Sequence, residues 1–161
     1  MTVESTPACF NALDQAELEC WGRSIGAEVV GSIVIALHGP LGAGKSVFAR
    51  AIARGAGVEG DVPSPSFTLL NRYRGREGRE VVHMDLYRLR DPAELLELGW
   101  EEIGADGEIT LIEWPERAGS KIPEVRWDFT ITPCSKSTDH RDVVVERVSC
   151  PTPIPVPLRS S

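Results

Sequence analysis

One segment of eight residues, 39–46, constrains the fold of this chain more than any other part of the sequence. It reads Gly-Pro-Leu-Gly-Ala-Gly-Lys-Ser and matches the pattern G-x-x-x-x-G-K-[ST] at every fixed position. A continuous apolar run over 33–37 comes shortly before it, which is typical of a strand buried on both faces of a parallel sheet. An amphipathic stretch over 46–54 follows and ends at Gly55. A strand, a glycine-rich turn and a helix in this order predict a phosphate-binding loop.

The residues of this loop predict that the chain binds a nucleotide polyphosphate together with Mg²⁺. The glycines let backbone N–H groups point at the phosphates, and the start of the helix adds the positive end of its dipole. Lys45 can then reach the β- and γ-phosphates, and the Ser46 hydroxyl can bind Mg²⁺. The plainer alternative is a glycine-rich helix cap with an exposed lysine. The apolar strand and the amphipathic helix on either side of the loop argue against that alternative.

A P-loop also needs a carboxylate that holds the metal or its water ligands, normally at the end of a neighbouring apolar strand. Two acids fit this requirement. Asp85 follows the strand-like residues 81–84, and Glu113 follows the strand-like residues 109–112. Either of them could instead be a solvated carboxylate at the end of a strand. The residues alone do not decide which acid binds the metal directly and which acts through water.

Three further features could contribute to the same site. The loop 63–67, Pro-Ser-Pro-Ser-Phe, is stiffened by its prolines and lies where γ-phosphate sensors commonly occur, although it could equally be a rigid connector. Trp114 could stack on adenine or pack at the edge of the sheet, and Arg88 and Arg141 could each approach the nucleotide. The hydroxyls that the loop region offers are Ser64, Ser66 and Thr68.

The rest of the sequence predicts one domain followed by a short tail. Asp14, with a glutamate three residues later, forms a capping-box pattern at the start of a helix. Alternating residues over 126–132 and 142–148 predict two late strands that can pair as an antiparallel hairpin. Alternate prolines in the last residues exclude a central strand or a helix there. We therefore expect a single P-loop domain over 1–148 and a flexible or extended proline-rich tail over 149–161.

Composition excludes several other classes of protein. The formal net charge of −7 argues against a broad electrostatic grip on nucleic acid. Acidic Glu4, the absence of an apolar leader and the lack of any long apolar run predict a cytoplasmic protein without a membrane segment. A metal site made of cysteines is not expected, since no two of the four have CxxC spacing: Cys9, Cys20, Cys134 and Cys150.

Taken in order, the motifs resemble those of the TsaE (YjeE) family. The family comprises small bacterial ATPases of the pathway that makes threonylcarbamoyladenosine at position 37 of tRNA. The resemblance runs from about Asp14 to Val148 and departs modestly at Pro40, where the family more often has an acid, and at Ser46, where threonine is common. Its motifs are the P-loop, Pro-Ser-Pro-Ser-Phe-Thr-Leu over 63–69, His-Met-Asp-Leu-Tyr-Arg over 83–88 and Ile-Glu-Trp-Pro-Glu over 112–116.

The resemblance implies a fold, a set of ligands and a set of partners. The fold would be a three-layer α/β P-loop domain with a mainly parallel sheet and late antiparallel strands. Ser46 and Glu113 would flank Mg²⁺, and Asp85 would be needed for hydrolysis of ATP. The partners would be the proteins TsaD and TsaB, and tRNA would be reached only through their complex. Lys45, Asp85 and Glu113 are the implied catalytic residues, and the implied nucleotide-binding residues are Asp14, Gly42, Ala43, Gly44, Lys45, Ser46, Val47, Trp114 and Arg141.

Two other functions fit a P-loop. The first is a small-molecule kinase, which would carry an arginine-rich lid and an acceptor pocket, whereas this chain has only the short glycine-broken turn over 74–79. The second is a regulator whose nucleotide state matters more than its turnover. A preference for ATP over GTP follows from the resemblance, since the guanine-specificity motif NKxD is absent from the sequence.

Overall fold

The computed structural model describes residues 6–159, so Glu4 and the last two residues of the predicted tail lie outside it. Within these residues two α-helices accompany seven strands, and shorter 3₁₀ turns connect them. The helices are α1 (Gln15–Glu28) and α2 (Lys45–Gly55). The strands are β1 (Ala8–Leu13), β2 (Ile33–His38), β3 (Leu70–Arg74), β4 (Glu80–Asp85), β5 (Glu108–Glu113), β6 (Arg126–Cys134) and β7 (Ser137–Val148).

All seven strands belong to one sheet, in the order β1-β7-β6-β2-β5-β4-β3. The four central strands, β6, β2, β5 and β4, run parallel to one another. β3 pairs antiparallel with β4 at one edge, and β7 and β1 add antiparallel pairs at the other. The predicted parallel sheet with late antiparallel strands is therefore confirmed, including the hairpin of β6 and β7.

Both faces of the sheet are covered, which produces three layers. On one face Trp21 of α1 and Phe48 of α2 pack against Phe129 of β6, with ring centroids 5.2–5.5 Å apart. The two helices approach each other closely, because an added Cβ at Gly26 of α1 would lie only 2.0 Å from the carbonyl oxygen of Ile52. The opposite face is covered by the 3₁₀ turns Pro92–Leu98, Trp100–Glu102 and Pro115–Lys121, whose buried residues include Leu95, Trp100 and Ala118.

The start of α1 agrees with the predicted capping box. The Asp14 carboxylate accepts a hydrogen bond from the Glu17 backbone N–H at 2.7 Å, and the Glu17 carboxylate accepts one from the Asp14 N–H at 3.0 Å. The sequence did not predict β1, whose residues show no regular alternation of apolar and polar side chains. None of the helices within residues 6–159 is long and apolar enough to cross a membrane.

The proline-rich segment, residues 149–161, contains neither helix nor strand wherever the structure describes it, and it bends at Ser149 and Thr152. Its backbone carbonyls accept hydrogen bonds from two indole groups of the core. Trp127 Nε1 donates to the carbonyl oxygen of Thr152 at 3.1 Å, and Trp21 Nε1 donates to that of Pro155 at 2.6 Å. The segment thus contacts the domain along its length, whereas its flexibility and the boundary at Val148 stay predictions.

Candidate nucleotide site

The loop between β2 and α2 has the backbone of a phosphate-binding loop. Gly39, Gly42 and Gly44 all have positive φ, at 143°, 78° and 105°, a region that side-chain-bearing residues rarely adopt. Gly39 also has no room for a side chain, because an added Cβ would lie 2.1 Å from the carbonyl oxygen of Ile131 in β6. At Gly42 an added Cβ would meet no atom of the described residues within 4 Å, so this part of the loop faces open space among them. The loop is therefore packed against the sheet on one side and open to a ligand on the other.

The parallel register brings the two candidate acids to the same end of the sheet. Glu113 ends β5 and pairs with Leu37 of β2, and Asp85 ends β4 directly beside Glu113. Both acids lie next to the loop, as expected for the carboxyl ends of parallel strands. The two acids line a cavity of about 420 Å³ together with residues 41–47 of the loop and the start of α2. The other residues that line it are Ser64, Ser66, Tyr87, Arg88 and Trp114.

The structure gives the two acids different contacts. Ser46 Oγ of the P-loop helix donates a hydrogen bond to Glu113 Oε1 at 2.8 Å. Within residues 6–159, Asp85 forms no hydrogen bond with a P-loop side chain: its Oδ1 accepts from the Tyr87 backbone N–H at 3.0 Å, and its Oδ2 lies 3.5 Å from Ser64 Oγ. Glu113 is therefore the acid joined to the P-loop, and Asp85 is the acid joined to the proline-stiffened loop.

The Ser46 and Glu113 oxygens fit the requirements of a Mg²⁺ ion. Mg²⁺ prefers oxygen ligands and commonly takes only one or two from the protein, with phosphates and waters supplying the others. Within residues 6–159 no group of three or more His, Cys, Asp or Glu side chains could hold a metal ion. A site built from the serine, the glutamate and a bound nucleotide is thus the kind of metal site that this chain can offer.

Lys45 is held inside the loop rather than extended into the cavity. Its Nζ donates to the carbonyl oxygens of Gly39 and Pro40, the latter at 2.9 Å, and lies 3.9 Å from the centre of the Trp114 ring. Burial lowers the pKa of Lys45, and the negative charges of Glu113, Glu116 and Asp85 oppose that shift. A ligand phosphate would have to replace these two carbonyl acceptors.

Trp114 covers the lysine from the other side. It has a left-handed backbone, with φ 56° and ψ 49°, which is uncommon for a residue with a large side chain. Its ring contacts that of Tyr87 at a centroid distance of 4.9 Å. The unusual backbone directly after Glu113 therefore turns the indole over the P-loop lysine.

Asp14 and Arg141, both expected near the nucleotide, lie outside the lining of the cavity as residues 6–159 define it. Arg141 instead supports the P-loop, because its Nε donates to the carbonyl oxygen of Ala43 at 2.8 Å. Asp14 caps α1, and the side chain of Leu18, one turn further along that helix, lies 3.5 Å from where a Cβ on Gly44 would be.

Arg88 lines the cavity while its guanidinium lies over the Phe67 ring at 4.4 Å.

The sequence did not assign a role to one buried polar residue at the site, His83. Its Nε2 lies 2.6 Å from Glu113 Oε2, and both side chains are 2% exposed. His83 and Asp85 are two positions apart in β4 and therefore lie on the same face of the strand. A histidine on the face of the acid, in an otherwise apolar strand, is the signal that could have indicated this contact.

A strand, a glycine loop and a helix, with a carboxylate bonded to the loop serine, define a P-loop nucleotide-binding protein. The sequence model of the family described as threonylcarbamoyl adenosine biosynthesis protein TsaE matches residues 12–143. The chain belongs to the TsaE family.

Individual relatives agree with this assignment. A Treponema pallidum protein named tRNA threonylcarbamoyladenosine biosynthesis protein TsaE is 37% identical over 112 residues, which cover 70% of this chain and 78% of the relative. A Mycobacterium bovis protein of the same name is 36% identical over 135 residues, covering 80% and 72%. The crystal structure of Bacillus subtilis YdiB superposes with a TM-score of 0.72 at 25% identity and covers 92% of this chain and 88% of that one.

Proposed function

We propose that this chain is a Mg²⁺-dependent ATPase that supports formation of threonylcarbamoyladenosine in tRNA. The hydrogen bond from Ser46 Oγ to Glu113 Oε1, beside Lys45 in the P-loop, is the observation that carries the ATPase part of the proposal. Family membership, together with relatives that are named for this biosynthesis, supports the pathway.

Ser46 and Glu113 would hold Mg²⁺ through their oxygen atoms. When bound, the ion would neutralise negative charge on the phosphates of ATP. The backbone of 42–47 would bind the phosphates, since it combines left-handed glycines with the N-terminus of α2. Lys45 Nζ would exchange the carbonyl oxygens of Gly39 and Pro40 for phosphate oxygens.

Asp85 is the residue that we assign to hydrolysis. Its Oδ1 is fixed by the Tyr87 backbone N–H, which leaves Oδ2 on the side of Ser64 and the cavity. A carboxylate fixed in this way can orient a water molecule toward the γ-phosphate and accept its hydrogen bond. Ser64 and Ser66 have hydroxyl oxygens 3.2 Å apart. These hydroxyls would donate hydrogen bonds to the same γ-phosphate.

Trp114, Arg141 and Asp14 would surround the nucleotide beyond the phosphates. Trp114 already lines the cavity. Arg141 donates to the P-loop carbonyls of Gly42 and Ala43, which places it directly beside the loop that would hold the phosphates. Asp14 would approach the nucleotide from the start of α1, which it caps.

We further propose that TsaD and TsaB are the partners, in the cytoplasm, and that tRNA contacts their complex instead of this chain. The net charge of −7 supports this division, because an acidic protein repels the phosphates of free tRNA. The small-molecule kinase alternative is not favoured, since the family and its relatives are named for a step in tRNA modification.

Hydrolysis of ATP by the purified chain tests the ATPase assignment. We expect Mg²⁺-dependent release of phosphate that Lys45→Ala abolishes together with ATP binding. Asp85→Asn is expected to lower the rate by roughly 10²-fold or more while ATP still binds. Val30→Ser, at an 88% exposed residue outside the cavity lining, is the matched control and should behave as the wild type. Unchanged ATP affinity of Lys45→Ala by calorimetry would refute the P-loop assignment.

A further inference from the structure

His83 lies deep in β4 and does not line the nucleotide cavity as far as the described residues define it. The whole residue is buried, and its neighbours Val81, Val82 and Met84 are fully buried. Burying an imidazole costs free energy unless a partner satisfies it, so its presence in an apolar strand requires a reason. The partner is Glu113, the acid that contacts the P-loop.

The Glu113 carboxylate is held from two sides. Ser46 Oγ donates to Oε1 at 2.8 Å, and the His83 ring lies against Oε2 with its Nε2 at 2.6 Å. Two contacts on two different oxygens fix both the position and the rotation of the carboxylate. If the contact to Oε2 were lost, the carboxylate could rotate about the Cγ–Cδ bond and still accept the hydrogen bond from Ser46 Oγ.

The direction of the histidine contact follows from the chemistry of the two groups. An ionised carboxylate only accepts hydrogen bonds, so the proton in this contact belongs to Nε2 of the ring. The other ring nitrogen, Nδ1, is buried and has no hydrogen-bond partner among residues 6–159. The ring is thus held by the glutamate alone and has no second polar anchor in the part of the chain that the structure describes.

We propose that His83 is a positioning residue that orients Glu113 Oε1 toward Ser46 and the metal site. It acts through Glu113 and touches neither nucleotide nor metal itself. The inference rests on the proposed function, because it takes Glu113 as the acid that holds Mg²⁺. Hydrogen-bond partners of this kind typically account for about 10–100-fold in metal affinity.

Strand β5, which ends in Glu113, also contains a matched control, Thr110. Thr110 is fully buried, and its Oγ1 donates to Oε1 of buried Glu108 at 2.8 Å. Thr110→Val therefore removes a buried donor from a buried carboxylate in β5, as His83→Leu does, but from Glu108, at the other end of the strand from Glu113. His83→Gln is the conservative variant, since its amide N–H can donate from nearly the place of Nε2.

The test is binding of Mn²⁺ to the full chain in the presence of ADP, followed by electron paramagnetic resonance, with ADP binding in EDTA measured beside it. We expect His83→Leu to weaken Mn²⁺ binding by about tenfold or more, with ADP affinity in EDTA within about twofold of the wild type. His83→Gln should recover most of the loss, and Thr110→Val should bind Mn²⁺ as the wild type does.

Wild-type Mn²⁺ affinity in folded His83→Leu would overturn the positioning role and leave the proposed function intact. Absence of nucleotide-dependent Mn²⁺ binding in the wild type would overturn the proposed function and this inference together. If His83→Leu does not fold, the wild-type protein still decides: long-range ¹H–¹⁵N spectra of ring-labelled histidine must show the His83 proton on Nε2, and a proton on Nδ1 alone overturns the inference.

Discussion

Removal of the proline-rich segment, by ending the chain at Val148, is expected to destabilise the domain. The segment supplies the acceptors for two indole N–H groups of the core, Trp21 and Trp127, which are 1% and 0% exposed. It also buries Cys150, which is 3% exposed, and packs Ile154 against the core. These contacts are lost together in the shortened chain.

The expected magnitude follows from these contacts. A buried donor left without an acceptor costs about 1–3 kcal/mol. Water that reaches the newly exposed surface replaces part of each hydrogen bond, so we assign about 1 kcal/mol to each of the two indoles. The apolar burial that is lost with the segment adds to this cost. The free energy of unfolding should therefore fall by about 2–4 kcal/mol, which corresponds to a loss of roughly 4–16 °C in Tm for a domain of this size.

Thermal unfolding followed by circular dichroism measures this loss, and Trp21→Phe resolves its cause. In the full chain, Trp21→Phe removes one hydrogen bond to Pro155 and should lower the Tm. In the shortened chain the same substitution removes an unpaired donor and should have little effect or raise the Tm. Leu158→Ser, at a 71% exposed residue of the segment, is the control. A shortened chain with the Tm of the full chain would show that the segment does not stabilise the domain.

Three other predictions concern the loop, the indole and the sheet. Gly39→Ala should abolish ATP binding by calorimetry, because its Cβ would lie 2.1 Å from a carbonyl oxygen of β6; wild-type affinity would show that the loop shifts freely. Addition of ATP should change the intrinsic fluorescence, and Trp114→Phe should remove most of that change, since this indole lies 3.9 Å from the P-loop lysine; a response that survives belongs to another tryptophan. Burial raises the pKa of Asp128, but hydrogen bonds from His38 and Arg126 outweigh it and hold that pKa below its usual value. Asp128→Asn should therefore cost about 1–2 kcal/mol near pH 7, and the cost should vanish in denaturant titrations as the pH falls through the lowered pKa; an equal cost at all pH values would contradict it.

The sequence was sufficient to predict the centre of the fold and of the site. The apolar run of β2, the glycines after it and the amphipathic stretch that follows predict a strand, a tight turn and a helix from local sequence alone. The positions of Asp85 and Glu113 at strand ends then follow, because neighbouring parallel strands end at the same edge of the sheet. Their separate contacts to Ser64 and Ser46 depend on side-chain geometry, which strand periodicity does not describe.

Other features could not be predicted because they arise from contacts between distant parts of the chain. The cover that Trp114 forms over Lys45 depends on a left-handed backbone at a residue that gives no local sign of it. The contact of His83 with Glu113 joins residues thirty positions apart. Prolines in the C-terminal segment exclude regular structure, but they do not reveal that its carbonyls serve as acceptors for indoles of the core.

We propose above all that this chain hydrolyses ATP as the partner of TsaD and TsaB. The most direct measurement is ATP hydrolysis with Mg²⁺ by the chain alone, with each partner and with both, using Lys45→Ala as the inactive control. We expect weak hydrolysis by the chain alone and a clear rise only when both partners are present. An unchanged rate with both partners, in a preparation shown to bind ATP, would contradict it.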